Sequence, residues 1–292
     1  MYLNDKERKV LEDQANKIRK KLIETLETAG SGHSAGPLDL ADIFTALYFA
    51  DLLKKEDKVV LSCGHTCPIL YTTLIHAGVL RKDELLTLRK LGTRLQGHPH
   101  HEQVYPGKEP YHENTPGVEN SAGPLGQGMS VGVGMALAGK RVYLIGSDGE
   151  LNEGQTWEAI MMMGNKKLSN LTYIIDRNNI QIDGYTEKVQ PLEPLFDKLK
   201  AFNLHVLEID GNSMEQIIAA VHESWTIKDK STVILANTIP GKGVEYMEGE
   251  YIWHGTPPGA SNIPGEPPKE KQAEEALKSL RTLGGKIQSE HE

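Results

Sequence analysis

The sequence has few cysteines, no surplus of positive charge and no long apolar run, and each shortage excludes a class of protein. Its 292 residues include two cysteines, so we expect a reducing compartment and no disulfide framework. The 32 Lys and Arg against 40 Asp and Glu give a net charge of −8, which argues against a nucleic-acid-binding surface. No stretch approaches the roughly 18 apolar residues of a membrane span, and the first residues lack a signal-peptide core. We therefore expect a cytoplasmic protein that binds neither nucleic acid nor membrane.

The pattern of apolar residues predicts an α/β fold with a parallel sheet and helices on both faces. Short β-branched runs predict five strands, at Lys58–Leu61, Arg141–Ile145, Leu171–Ile175, His205–Ile209 and Thr232–Ala236. The second, third and fifth strands are apolar on both faces. That pattern is typical of parallel strands covered by helices on both sides.

Helical periodicity alternates with these strands. The first helix lies between a capping box at Asn4 and Glu7 and a terminating Gly30. A second helix is predicted from Pro37 to about Tyr48. Further helices are predicted near 68–77, 83–91, 124–139, 153–165 and 213–226.

The composition changes towards the end of the sequence. Five prolines lie within residues 256–271, too many for a helix or a central strand. A charged amphipathic stretch follows from Glu270 to Leu283. We therefore expect one α/β domain over residues 1–260, then a proline-rich linker and a helical tail over residues 261–292.

Polar loops follow four of the predicted strands. They are Cys63-Gly64-His65, Ser147-Asp148-Gly149, Arg177-Asn178-Asn179 and Asp210-Gly211-Asn212. Ligands of open parallel sheets bind beyond the carboxyl ends of the strands, where these loops meet. Turn chemistry by itself also places Gly, Asn and Asp in such loops, so this pattern leaves both interpretations open.

Asp148 and Asn178 are candidate ligands of a hard divalent cation. Mg²⁺ prefers oxygen ligands, and these residues offer a carboxylate and an amide oxygen. A backbone carbonyl from the turn at Asn179 and Ile180 could add a third ligand. Gly149 would let the backbone approach a bulky anion such as a diphosphate. Two ordinary turn residues are the alternative.

The run from Gly123 to Gly128 leads into a helix of small residues. Its glycines could present backbone amides to a cofactor, or simply allow close helix packing. The spacing fits no dinucleotide fingerprint, because position 131 is Val131, and no Gly-Lys-Ser/Thr of a P-loop follows.

Seven motifs carry a close resemblance to the N-terminal half of transketolase, the thiamine diphosphate-dependent ketol-transfer enzyme. In chain order they are SGHSAGPLDLA (31–41), LSCGHTCPILY (61–71), QGHP (96–99), GPLGQGMSVGVGMA (123–136), SDGELNEGQTWEA (147–159), DRNNIQIDG (176–184) and WHG (253–255). The resemblance covers roughly residues 5–260. Asp-Gly followed about thirty residues later by Asn resembles thiamine enzymes in general, and the other motifs narrow the resemblance to transketolase.

The resemblance implies roles for individual residues. Asp148, Asn178 and the carbonyl of Ile180 would ligate Mg²⁺ or Ca²⁺. The residues that would contact thiamine diphosphate are His65, Gly123, Pro124, Leu125, Gly149, Asn178 and His254. His33, His98 and His254 would line the substrate channel, and Glu153 would join carboxylate contacts across a subunit interface.

The resemblance also implies a partner. Thiamine enzymes need a second domain that binds the pyrimidine ring and supplies a glutamate, and the sequence contains no counterpart of it. We expect the diphosphate-binding subunit of a split transketolase, assembled with a C-terminal-half subunit in an α₂β₂ complex. Such an enzyme would move a two-carbon ketol unit between sugar phosphates. The alternatives are a subunit of a deoxyxylulose phosphate-forming or 2-oxo-acid-decarboxylating thiamine enzyme, and a non-catalytic binding or regulatory homologue.

The sequence departs from the family pattern in three places. Ser147 replaces a glycine before Asp148, and Ser34-Ala35 stands where Pro-Gly is usual. The third departure is an insert over residues 99–117 that contains His100, His101 and His112. A surface loop is the first interpretation of this insert, and effects on specificity or a site made of the three histidines are the alternatives. A zinc site at Cys63, His65 and Cys67 is disfavoured, because no second ligand pair exists.

Overall fold

A computed structural model describes residues 3–104 and 112–281. Predictions for residues 105–111 of the insert and 282–292 of the tail lie outside the described residues. The helices are α1 Asp5–Ala29, α2 Ala35–Asp39, α3 Ala41–Phe49, α4 Cys67–His76, α5 Gln127–Leu137, α6 Gly154–Lys166, α7 Thr186–Val189, α8 Leu195–Ala201, α9 Met214–Thr226 and α10 Gln272–Arg281. The strands are β1 Lys58–Leu61, β2 Glu102–Val104, β3 His112–Asn114, β4 Val142–Ser147, β5 Leu171–Arg177, β6 Ile180–Gln181, β7 Gly184–Tyr185, β8 His205–Asp210 and β9 Thr232–Asn237.

The five predicted strands form one parallel sheet. Its order is β1-β4-β5-β9-β8, so the three strands with two apolar faces occupy the centre, as predicted. β4 and β5 are buried at every position, whereas edge strand β8 alternates between buried and partly exposed residues. The predicted α/β fold is therefore confirmed. The physical reason is that a central strand meets helices on both faces and can expose neither.

Apolar clusters cover the two faces of the sheet. Tyr143 and Ile145 of β4 belong to one cluster, and Val142 and Leu144 belong to the other. The first cluster includes residues of α1, α3, α4 and α9, and the second includes residues of α5, α6 and α8. Alternate side chains of each central strand thus bury against different helices, as the strand period of two requires.

The terminal helix packs against the first one. Asn16 Nδ2 of α1 donates a hydrogen bond to the carbonyl of Leu280, at 2.7 Å, and Ala276 of α10 is fully buried. The predicted helix at the end of the chain is confirmed over Gln272–Arg281. The division into residues 1–260 and 261–292 remains a prediction. None of the described helices is both long enough and apolar enough to span a membrane.

The first helix has the predicted ends, but three other helix predictions were wrong in extent. Asn4 and Glu7 form the capping box, and Gly30 ends α1 in the left-handed conformation. The helix predicted over 37–48 is two helices, α2 and α3. Asn212 Nδ2 donates to the carbonyl of Asp39 at their junction, which is a long-range contact that helical periodicity cannot reveal.

The other two extents were limited by left-handed residues. Over 83–91 the chain forms only a short 3₁₀ helix, Lys82–Thr87, because Arg89 adopts a φ of 61° and its N–H bonds to the carbonyl of Leu95. The helix predicted over 124–139 begins at Gln127, since Gly126 has a φ of 83°. A left-handed residue ends α-helical hydrogen bonding wherever it occurs.

Candidate functional site

The loops after β4 and β5 meet at the carboxyl end of the sheet. The two strands are adjacent and in register, with Ser147 opposite Asp176. Asp148 follows β4 directly, and Asn178 follows β5. Residues separated by about thirty positions in sequence therefore lie side by side, which is the arrangement that the strand-end argument predicted.

Asp148 is fully buried and uses one of its two carboxylate oxygens within the chain. Its Oδ2 accepts hydrogen bonds from the Asn179 N–H at 2.7 Å and from Arg177 Nη1 at 3.0 Å. Its Oδ1 is buried and has no hydrogen-bond partner among the described residues. Burial raises the pKa of Asp148 to about 6, although Arg177 favours the charged form. A buried oxygen without a partner costs stability unless a ligand contacts it, so Oδ1 is a candidate ligand atom.

The side chain of Asn178 is oriented by its neighbours. Its Nδ2 donates to Asp39 Oδ2 at 3.1 Å and to Asp176 Oδ2 at 3.0 Å. Its Oδ1 therefore points away from the two carboxyl groups, and it accepts one hydrogen bond, from the Ile180 N–H at 3.1 Å. The turn interpretation is correct for this one contact. A second lone pair of Oδ1 remains for a ligand, because an amide oxygen has two acceptor sites.

This donor set fits a hard divalent cation. It combines a buried carboxylate oxygen, an amide oxygen and the nearby carbonyl of Ile180, which are all oxygen ligands. Over residues 3–104 and 112–281, no group of three or more His, Cys, Asp and Glu side chains could hold a metal ion. The disfavoured zinc site at Cys63, His65 and Cys67 is therefore absent. The side chain of His112 lies outside the described residues, so the site proposed for the insert is not tested.

Three of the predicted histidines form a cluster beside these loops. The ring centroids of His33 and His65 are 4.9 Å apart, and those of His65 and His254 are 5.2 Å apart. The third pair, His33 and His254, is 5.5 Å apart. The Nδ1 atoms of His33 and His254 are buried and have no hydrogen-bond partner in the described chain. His98 lies near enough to His33 and His65 to affect both electrostatically, and it is exposed.

The cluster keeps its imidazoles neutral. Burial lowers the pKa of His33 and of His254 to about 4 each, and the neighbouring histidines lower that of His33 further. The pKa of His65 falls well below its usual value for the same reasons. Neutral imidazoles offer one donor and one acceptor nitrogen each, so these rings can bind hydroxyl groups and accept a proton at neutral pH.

The glycine-rich loop lies against the same edge of the sheet. Gly123 is partly exposed with open space around its Cα, Pro124 is exposed, and Leu125 is half-buried. The N–H of Gly126 donates to the carboxylate of Glu150, which also accepts a hydrogen bond from Ser62 Oγ at 2.6 Å. Glu150 therefore ties three loops of the candidate site together.

Gly149 and Glu153 lie at different depths in the loop after β4. Gly149 is partly exposed, and a side chain there would come within 3.3 Å of Gln181 Cγ. Glu153 is the N-cap residue of α6, and its side chain is exposed rather than joined to the histidines. Its expected role at a subunit interface stays a prediction.

Sequence reasoning missed the residues behind the candidate ligands. Asp39 and Asp176 are fully buried carboxyl groups in contact with Asn178, and burial raises the pKa of Asp176 to about 8 and that of Asp39 as well. Thr238 Oγ1 donates a hydrogen bond to Asp176. Glu150 and Arg177 were also missed. Their signal was present in part, since four charged residues lie beside predicted strand ends, but a contact such as Asn178 to Asp39 spans 139 positions.

Comparison with known proteins places the chain in a family. Residues 10–269 match the family model described as "Transketolase, thiamine diphosphate binding domain". The 6-deoxy-6-sulfo-D-fructose transketolase subunit SqwG of Clostridium sp. (strain MSTE9) is 40% identical over 259 residues, covering 84% of this chain and 90% of that protein. A subunit of the apulose-4-phosphate transketolase of Phocaeicola vulgatus is 38% identical over 296 residues, with coverage of 96% and 97%. The chain therefore belongs to the transketolase family.

Solved structures support the same assignment of the fold. The transketolase of Leishmania mexicana superposes with a TM-score of 0.77 at 28% identity. That alignment covers 94% of this chain and 44% of the Leishmania chain. The chain thus corresponds to the thiamine diphosphate binding domain of the family and spans less than half of this full-length relative.

Proposed function

We propose that the chain binds thiamine diphosphate through a divalent cation, Mg²⁺ or Ca²⁺. Asp148, Asn178 and the carbonyl of Ile180 would hold the cation. The observation that carries this proposal is the buried Asp148 Oδ1, which has no partner in the described chain. The oriented amide of Asn178 supports it, since its oxygen points away from Asp39 and Asp176.

The surrounding loops would hold the rest of the cofactor. Gly149 and Asn178 would lie against the diphosphate, because a glycine allows close approach of the backbone. The open space at Gly123 supports a contact with the cofactor from the glycine-rich loop. The proposed cofactor contacts are His65, Gly123, Pro124, Leu125, Gly149, Asn178 and His254.

The proposed reaction moves a two-carbon ketol unit from a ketose phosphate to an aldose phosphate. Thiamine diphosphate supplies the electron sink for cleaving and forming the carbon–carbon bond. His33, His98 and His254 would bind substrate hydroxyl groups and hold or accept their protons. Their chemistry suits this role because the buried Nδ1 atoms of His33 and His254 are neutral and without partners in the described chain.

A separate subunit would complete the enzyme. Two relatives with coverage of 90% and 97% are named as transketolase subunits, and the chain spans 44% of a full-length transketolase. We propose that the partner carries the C-terminal half, that it binds the pyrimidine ring, and that the complex is an α₂β₂ tetramer in the cytoplasm. Exposed Glu153 would contribute a carboxylate at the subunit interface.

Purification from the native host tests the assembly and the reaction together. A tagged chain should capture a second subunit of transketolase type, and the complex should convert xylulose 5-phosphate and ribose 5-phosphate in the presence of thiamine diphosphate and Mg²⁺. The chain alone should not. Equal transfer with and without the partner would overturn the split-enzyme proposal.

The products separate the alternatives within thiamine enzymes. Release of carbon dioxide from a 2-oxo acid, or formation of deoxyxylulose phosphate, would favour another thiamine enzyme. Binding of cofactor without any turnover by the complex would favour a non-catalytic homologue. Calorimetry with thiamine diphosphate and Mg²⁺ measures that binding independently of turnover.

A further inference from the structure

Arg89 lies across the two segments that carry His33 and His98. Its Cδ is 3.8 Å from where a side chain would begin at Gly32, and its Cζ is 2.8 Å from the same point at Gly97. These glycines immediately precede the two histidines. A larger residue at position 97 would displace the guanidinium. Two glycines therefore leave room for one arginine beside the histidine cluster.

The backbone directs Arg89 to this position. Its φ of 61° is unusual for a residue with a side chain, and its N–H donates to the carbonyl of Leu95 at 2.7 Å. That hydrogen bond closes the loop that leads to His98. A left-handed arginine costs conformational energy, so the packed surroundings hold it there.

The guanidinium has no acidic partner in the described part of the chain. Each of the other arginines of described side chain lies within 4.0 Å of a carboxylate oxygen: Arg8, Arg19, Arg81, Arg94, Arg141 and Arg177. Arg89 is exposed, and its charge acts instead on His33 and His98, whose pKa values it lowers. A positive charge thus stands at the exposed edge of a group of neutral rings.

We propose that Arg89 binds the terminal phosphate of the sugar substrate, a proposal that rests on the function given above. A guanidinium matches two oxygens of a tetrahedral anion, and its planar donors suit phosphate better than an ammonium does. The neutral histidines bind the hydroxyl end of the sugar, and Arg89 at the exposed edge binds the charged end. Arg89 is thereby a specificity-determining residue for anionic sugars.

The test compares two acceptors in the assembled complex with its partner, thiamine diphosphate and Mg²⁺. One acceptor is erythrose 4-phosphate, and the other is glycolaldehyde, which has no phosphate. The Arg89→Met variant should raise KM for erythrose 4-phosphate by about 10- to 100-fold, the effect of losing one charge-assisted hydrogen bond. Its kcat/KM for glycolaldehyde should stay within about twofold. Arg89→Lys should recover part of the loss, and Lys90→Met, on the adjacent exposed residue, should behave as wild type.

A second measurement does not depend on turnover. Phenylglyoxal modification of the wild-type chain in the complex, mapped by mass spectrometry, should be slowed at Arg89 by erythrose 4-phosphate. Erythrose should not slow it, and inorganic phosphate should act only at higher concentration. Protection of this pattern supports the phosphate contact even if no ketol transfer is observed, so this result separates the role of Arg89 from the proposed function.

Three results would overturn the role of Arg89. One is an equal loss on both acceptors in Arg89→Met, which indicates a purely structural residue. The second is an unchanged KM for erythrose 4-phosphate. The third is the absence of protection, or equal protection by erythrose or by inorganic phosphate at the same concentration.

Discussion

Arg177 and Asp148 form a buried ion pair in which one carboxylate oxygen is used and the other is left without a partner in the described chain. Arg177 Nη1 lies 3.0 Å from Asp148 Oδ2, and the arginine also contacts Glu187 at 2.6 Å and Glu193 at 3.0 Å. One cation thus serves three carboxylates. The arrangement keeps Asp148 in place while Oδ1 remains available to a ligand.

Removing the guanidinium should destabilise the fold. Arg177→Met leaves Asp148 buried without its countercharge, and we expect a loss of about 3 kcal/mol in the free energy of unfolding. Urea denaturation without cofactor measures this loss. Glu193→Gln is the control, because Glu193 is 59% exposed and should cost less than about 1 kcal/mol. A loss below about 1 kcal/mol in Arg177→Met would show that the pair contributes little to stability.

Changing the carboxylate should weaken cation binding. Asp148→Asn removes the negative charge but keeps an oxygen near Oδ1. We expect the Kd for Mg²⁺, measured by calorimetry in the presence of thiamine diphosphate, to rise at least about tenfold. Asp183→Asn is the matched control, since Asp183 is exposed in the turn between β6 and β7. Unchanged Mg²⁺ affinity in Asp148→Asn would remove Asp148 from the proposed ligands.

The histidine cluster should not titrate near neutral pH. Because the pKa values of His33 and His254 are lowered to about 4, their ring signals should stay constant from pH 8 to about pH 5.5 in NMR spectra. A free imidazole titrates near 6.5 and serves as the reference. The unfolded chain takes up these protons first, so stability from the two rings is present above pH 6.5 and is lost as pH falls towards 4.

The comparison of variants isolates that effect. His254→Gln should flatten the decline of stability between pH 6.5 and 4 relative to wild type, as measured by denaturation at each pH. Ring signals of His33 or His254 that move with a midpoint near 6.5 would contradict the neutral cluster.

Two glycines in neighbouring helices should respond to alanine in opposite ways. A methyl group at Gly164 of α6 would overlap the carbonyl oxygen of Phe202, which is backbone and cannot rotate away. We expect Gly164→Ala to cost about 2 kcal/mol or more. Gly134 of α5 is exposed with open space around it, so Gly134→Ala should stabilise the chain by about 0.5–1 kcal/mol through helix propensity. Thermal denaturation compares the two, and equal effects would contradict the packing described for Gly164.

The fold was more predictable than the lengths of its helices. All five strands of the main sheet, and the central position of β4, β5 and β9, followed from apolar residues alone. A strand covered on both faces must be apolar throughout, so its position in the sheet appears in its composition. The helix boundaries at 37–48 and 83–91 failed, because Asn212 and the left-handed Arg89 act through contacts that are distant or conformational.

The candidate site was predictable in its first layer only. Asp148 and Asn178 follow neighbouring strands, so the strand-end rule brought them together. The carboxyl groups of Asp39 and Asp176 that orient Asn178 could not be found in that way, since Asp39 comes from helix α2. Arg89 resembled any charged residue on a helix.

The sequence by itself determined which segments are strands, which strands are central, and which motifs relate the chain to transketolase. These properties are local, because they depend on the alternation of apolar residues and on short runs of particular residues. Only the tertiary structure decided that Asp148 has one oxygen without a partner in the described chain, that three imidazoles lie within 5.5 Å of one another, and that Arg89 lies over Gly97. Those facts depend on how distant segments pack, and packing sets the burial and the charge environment that give each side chain its chemistry.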